Sequence, residues 1–271
     1  MANPILSEQS LKQAAQRSTP VDGATVWNPP VTDGPVTAWP VPAADAKVMT
    51  VRGTASATGV LFALLLVAAF FGWNAVETSS ETGPQFPGLA LVGILVGFGC
   101  VIATRFKPTW ARFLAPVYAL GEGFALGVIS RFYELRNGGI VVQAAGATLA
   151  VFAVMLLMYR LEIIKVTNRF RRIVMGATMG VMLFYGVSLI LNLFGTGVPF
   201  LQSSSVFGIL FSLFVAGLAA FNLALDFDMI EKGVKAKLPA HMEWFCALGL
   251  LVTIVWLYLE ILRLLSKLRD R

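Results

Sequence analysis

The chain has 271 residues, 57% of them hydrophobic and only 13% charged, with a mean hydropathy of +0.75. Soluble domains carry about a quarter charged residues, so this composition excludes a water-soluble enzyme and predicts an integral membrane protein. The net charge of +6 is what basic loops of a membrane protein produce, and it does not call for a nucleic-acid partner.

Residues 1–53 are rich in Pro, Ala, Ser and Asp, as in Asn28-Pro29-Pro30 and Trp39-Pro40-Val41-Pro42, and hold no sustained helical or strand period. They are expected to form a disordered cytoplasmic tail. A signal peptide's basic start, short apolar core and cleavage site are missing, so no removal is expected. Lys47 to Thr50 suit a short interfacial element.

Apolar runs follow at about 55–76, 87–104, 113–131, 140–159, 173–194, 206–228 and 246–265. Each is near the roughly 20 residues that cross a hydrocarbon core of about 30 Å. Lipid offers backbone groups no hydrogen-bond partner, so these runs must be helices. The predicted fold is therefore an all-α membrane protein, one bundle of seven transmembrane helices over residues 54–268.

Lys and Arg orient it. Arg105, Lys107 and Arg112 lie in the second loop, Arg160, Lys165, Arg169, Arg171 and Arg172 in the fourth, and Lys232, Lys235 and Lys237 in the sixth. These loops are expected to face the cytoplasm, with the N-terminus, in a cell inner membrane. The first loop (Glu77, Glu81) and the fifth (around Gly195-Thr196-Gly197) lack basic residues, while the third carries Arg131 and Arg136. Seven crossings would place Arg263, Lys267, Arg269 and Arg271 outside, against the charge rule. The last helix either spans against that bias or enters and returns.

Gly93 with Gly97, Gly123 with Gly127, and Gly176 with Gly180 have the spacing that lets helices approach closely. Cys100 and Cys246 sit in apolar runs as small hydrophobes. The single histidine, His241, falls in a loop, which leaves no Ser/His pair or His-rich metal site within the membrane, and no Lys lies inside the last helix for a retinal Schiff base. Neither an enzyme nor a bound cofactor is expected.

Ionisable groups inside a membrane are costly and mark function by default. There are few: Glu122 in the third run, Asp226 and Asp228 closing the sixth, and Glu260 late in the seventh. Asn222 lies one turn before Asp226 on the same face. Asp228 also suits a helix end in water, Glu260 a local ion pair with Arg263, and Glu122 a hydrogen bond to a neighbouring helix.

At these residues the chain resembles the Bax-inhibitor-1 family, also called the transmembrane BAX-inhibitor-motif family. The features are the Gly-rich third helix from Gly121 to Gly127 with Ile129-Ser130, the acid ending the sixth helix, and Leu257-Tyr258-Leu259-Glu260 trailed by Leu262-Arg263-Leu264-Leu265. The resemblance covers roughly residues 50 to 268. It implies a bundle whose last helix is central, wrapped by the other six, and a pH-sensitive calcium leak channel.

The implied sensor is a proton-sharing pair of acids from helices six and seven. Asp226, followed by Ile230 at the family's spacing, matches the first, with Asp228 as the fallback; Glu260 matches the second, as Glu where the family usually has Asp. Arg105 matches a latch ending helix two. Glu122 and the N-terminal tail depart from the core pattern. Two close carboxylates in a low-dielectric site share a proton and titrate as a unit, and the fully ionised pair recruits a cation, for which hard oxygen ligands favour Ca²⁺. Asp226 and Glu260 are thus the expected calcium ligands, with the bilayer, Ca²⁺ and protons as partners.

The sixth loop bears on this pair. A seventh helix starting near Pro239 would carry Glu260 about 30 Å inward, too deep to meet Asp226. A start near Ala247 is therefore expected, with Lys235 to Trp244 lying along the interface. The alternative function is a non-conducting regulator that binds a membrane protease or stress-response partner through the tail.

Overall fold

Seven long apolar segments become seven helices in the computed structural model, which describes residues 47–79, 83–194 and 204–270. They are α1 (Val51–Asn74), α2 (Gly88–Phe106), α3 (Ala111–Arg136), α4 (Ile140–Arg160), α5 (Asn168–Leu193), α6 (Val206–Lys235) and α7 (His241–Arg269). The two-residue strands β1 (Thr78–Ser79) and β2 (Gly83–Pro84) pair antiparallel between α1 and α2, and a 3-10 turn at Pro108–Trp110 leads into α3. All seven helices are long and apolar enough to cross a membrane. Residues 1–46, Glu81 and the loop around Gly195 lie outside the described residues, and with them most of the expected tail.

Local chemistry fixes the ends. The Thr50 hydroxyl caps α1 by accepting from the Gly53 amide (2.9 Å), and Ser205 caps α6 through the Gly208 amide (3.2 Å). Between α3 and α4 the chain turns through Gly139, whose φ of +78° suits a residue without Cβ. The Glu134 carboxylate accepts there from the amides of Gly139 and Val141, supplying the cap that the α4 N-terminus otherwise lacks.

α7 is the axis of the bundle. Buried residues make up 67% of its apolar window against 17% in α5, because Leu248, Leu251, Leu257 and Leu262 occupy different faces and all meet protein. It packs against α1, α3, α4 and α6, while α2 lies on α3 and α5 lies on α6. Tyr185 of α5 also reaches α7, at Glu260 and Arg263, so α7 is central as expected, with α2 set outside against α3. Outward residues such as Phe70, Phe98 and Leu189 are exposed and apolar, as a lipid-facing surface requires.

The glycines divide. A Cβ on Gly127 would collide with the Ala69 carbonyl, and one on Gly123 would stand 2.5 Å from the Leu65 carbonyl, so α3 touches α1 backbone to backbone. Gly93 faces Gly121 in the same way. Gly176 and Gly180 have nothing within 4 Å, so the pairing expected of them is not made.

Of the two alternatives for α7 the unbroken span is the one observed, and the expectation for its start is corrected. It is one unbroken helix of 29 residues, about 42 Å long, so it does not enter and return. It also starts at His241, and only residues 236–240 separate it from α6, so no interfacial element runs from Lys235 to Trp244. The reason is a tight clasp. The Met49 amide donates to the Leu238 carbonyl (2.7 Å) and the Ala240 amide to the Lys47 carbonyl (2.9 Å). Glu243, in the first turn of α7, accepts from both the amide and the hydroxyl of Thr50.

Candidate functional site

On α7 the residues Cys246, Gly249, Thr253, Trp256, Glu260, Arg263 and Lys267 recur at alternating intervals of three and four, which places them on one face. That face looks toward α6 and α5. From the start of α7 to its end it forms a polar seam through an otherwise apolar bundle.

At the near end, where α1 begins, Asp228 is buried and ion-paired to Arg171 of α5 and to Lys232 one turn on (2.8 Å). Beside it Glu231 accepts from the Tyr159 hydroxyl and from Lys235. Asp228 is therefore engaged with two cations, which ties α5 to α6.

Asp226 differs. Its polar neighbours are Thr253 and Cys246 of α7, and its Oδ2 is buried with no hydrogen-bond partner among the described residues. One turn deeper, Asn222 donates to the Thr178 hydroxyl of α5 (2.8 Å) and to the Leu218 carbonyl (2.9 Å). Trp256, next along the α7 face, holds its indole N–H buried and unpartnered.

Glu260 is 1% exposed. Its Oε1 accepts from the Tyr185 hydroxyl of α5 (2.9 Å) and from Arg263 (2.7 Å), while Oε2 is buried and unpartnered. Arg263 also donates to the Tyr185 oxygen (2.8 Å), closing a three-membered network. Lys267 ends the seam, buried, donating to the Gly208 carbonyl (3.0 Å) and the Ser212 hydroxyl (2.8 Å) of α6.

The two acids paired by the sequence are on the same seam but not in contact. Thr253, beside Asp226, precedes Glu260 by seven residues, about 10 Å along the helix. The start of α7 at His241 is the cause, since it carries Glu260 two turns past the level of Asp226. Arg105 is exposed in the last turn of α2, which packs on α3, and is not brought to Asp226; the cation found on Glu260 is Arg263. Glu122 lies at the α2–α3 contact, 3.0 Å from where a Cβ on Gly97 would be, and takes no part in the seam.

Among the described residues no three His, Cys, Asp or Glu side chains converge as a metal cluster, and Cys100 and Cys246 are free thiols. The seam's oxygens are spread along its length rather than gathered at one point. Sequence reading missed Tyr185, Thr253, Trp256, Lys267 and Arg171. The three-and-four spacing on the last helix was a usable signal for the α7 members; the α5 members carried none.

Seven helices long and apolar enough to cross a membrane, the last of them central, with a line of polar groups buried beside it, define a multi-pass helical membrane protein. A family model described as Bax inhibitor 1 like matches residues 3–270, and the chain belongs to that family. The match includes the N-terminal segment that had seemed to depart from the family pattern. No curated protein matches the chain.

Proposed function

We propose that this protein is a pH-sensitive cation leak channel, with calcium as the cation its acids suit best, and that the α5–α6–α7 seam is the route. One observation carries the proposal: Asp226 and Glu260 each hold a carboxylate oxygen away from solvent with no partner among the described residues, on one line through the bundle. An orphaned buried acceptor is expensive, so a site that keeps two has a use for them. The oxygens of Asp226, Thr253, Asn222, Thr178, Tyr185 and Glu260 offer a hard cation successive ligands.

Family membership supports a channel of this kind. The separation of the acids supports two stations on a path rather than one shared proton. As the acid, Asp226 gives a cation nothing to neutralise; as the carboxylate it does, so conduction rises with pH. Arg263 occupies Glu260 and closes the second station until it moves. The basic α2–α3, α4–α5 and α6–α7 connections all lie at the near end, which supports a cytoplasmic near end and an inner-membrane location. No catalytic role is assigned.

The test is calcium flux into dye-loaded vesicles containing the full chain. The leak should rise with pH and fall in both Asp226→Asn and Glu260→Gln; a leak unchanged in both variants overturns the proposal. A second function, a non-conducting regulator of a membrane protease or stress-response partner, draws support from the clasp of residues 47–50 on the α6–α7 turn, which links the N-terminal segment to α7. In that case deleting residues 1–46 should abolish the cellular phenotype with flux unaltered.

A further inference from the structure

The far end of the bundle holds more positive charge than its acids neutralise. Arg136, the last residue of α3, pairs with Asp270 (2.9 Å), and Arg263 pairs with Glu260. Among the described residues Lys267 and Arg269 have no carboxylate at ion-pair distance: Lys267 donates to the Gly208 carbonyl and the Ser212 hydroxyl, and Arg269 to the Gly138 carbonyl and the Gln143 side-chain oxygen. A buried ammonium 4% exposed is costly to keep without a counter-charge.

Three of these cations, Arg136, Arg263 and Lys267, line a cavity. Between α3 and α7 lies a pocket of about 400 Å³ lined by Tyr133, Arg136, Arg263, Lys267 and Asp270, with Phe132 on its wall. Only one nitrogen of Arg263, Nη1, is taken up by Glu260 and Tyr185, which leaves the rest of the guanidinium fork for a ligand.

We infer that this pocket binds the phosphate of an anionic phospholipid headgroup. Depth argues for a lipid: α7 is about 42 Å long, exceeds the hydrocarbon core by some 12 Å, and so carries its last turns into the headgroup layer. Exposed Leu135 and Leu268, next to Arg136 and Lys267, give the acyl chains an apolar flank. A phosphodiester has one negative charge and two free oxygens, which Arg grips bidentately and Lys as a point charge. The bound anion also removes the objection raised by the basic C-terminal end, whose charge is then balanced by lipid. The inference is independent of whether the chain conducts.

The test reconstitutes the full chain in nanodiscs of equal parts phosphatidylcholine and phosphatidylglycerol, extracts it gently, and counts retained lipid by native mass spectrometry. Phosphatidylglycerol should be retained in preference to phosphatidylcholine. Losing one charge-assisted contact in Arg136→Gln or Lys267→Gln should lower that retention about tenfold. Lys107→Gln, which removes a cation from the opposite end, should leave it unchanged. Because Lys267 is buried and its variant risks misfolding, the exposed Arg136 decides the outcome, with helix content checked by circular dichroism. Equal retention of the two lipids, an Arg136→Gln protein that keeps its phosphatidylglycerol, an equal loss in Lys107→Gln, or displacement of the lipid by inorganic phosphate would each overturn the inference.

Discussion

Glu260 and Arg263 form an ion pair of 2.7 Å within one turn of α7, and Tyr185 of α5 is bonded to both partners. Removing the cation leaves a carboxylate 1% exposed and uncompensated. Arg263→Gln should therefore lower stability by on the order of 2 kcal/mol, below the range for a wholly buried pair because a third of the Arg263 side chain is exposed. Adding Glu260→Gln should restore most of the loss. Thermal unfolding in detergent of the two single variants and the double variant checks this, and an additive double variant would show that the pair is not coupled.

The backbone contact between α1 and α3 predicts an asymmetry among glycines. Gly127→Ala drives a methyl into the Ala69 carbonyl and should lower the unfolding temperature, whereas Gly180→Ala adds a methyl in open space and should leave stability unchanged or raise it by up to about 1 kcal/mol. The same scan reads out both, and equal effects would contradict the packing.

How the sequence and structure compare follows from such particulars. The run at 140–159 became Ile140–Arg160 because hydropathy changes sharply at both ends. The run at 246–265 became His241–Arg269 because His241 and Glu243 look like loop residues in one dimension; only in the fold does Glu243 bond to Thr50, 193 residues away. That one displaced start moved Glu260 two turns. Asp226 and Glu260 stood out as lone acids in apolar helices, but Arg171, Thr178 and Tyr185 are brought to the seam by the packing of α5 on α6, which leaves no local trace.

The pH response should belong to Asp226. Asp228 and Glu260 are already held by cations, whereas Asp226 faces Thr253 and Cys246, and its charge is what changes along the seam. Calcium leak in Asp226→Asn should become independent of pH; in Glu260→Gln it should be smaller yet still rise with pH. A flat profile in Glu260→Gln beside a normal one in Asp226→Asn would reverse the assignment.

The clasp at the near end predicts a modest stability effect. Glu243→Ala removes two hydrogen bonds to a carboxylate and should cost about 1–3 kcal/mol. It should also speed proteolysis near residues 47–50, followed by mass spectrometry of the fragments. Unaltered cleavage would show that the backbone hydrogen bonds to the α6–α7 turn hold without it.

Where ions move is tested most directly by fastening the seam shut. Thr178 and Asn222 meet across α5 and α6 at 2.8 Å. In a chain carrying Cys100→Ser and Cys246→Ser, the pair Thr178→Cys with Asn222→Cys should oxidise to a disulfide that holds the two helices together. Calcium leak into vesicles should then stop on oxidation and return on reduction, with either single cysteine variant insensitive to both. A leak that persists at full strength with the disulfide formed would place conduction elsewhere, or show that the protein does not conduct through this seam at all.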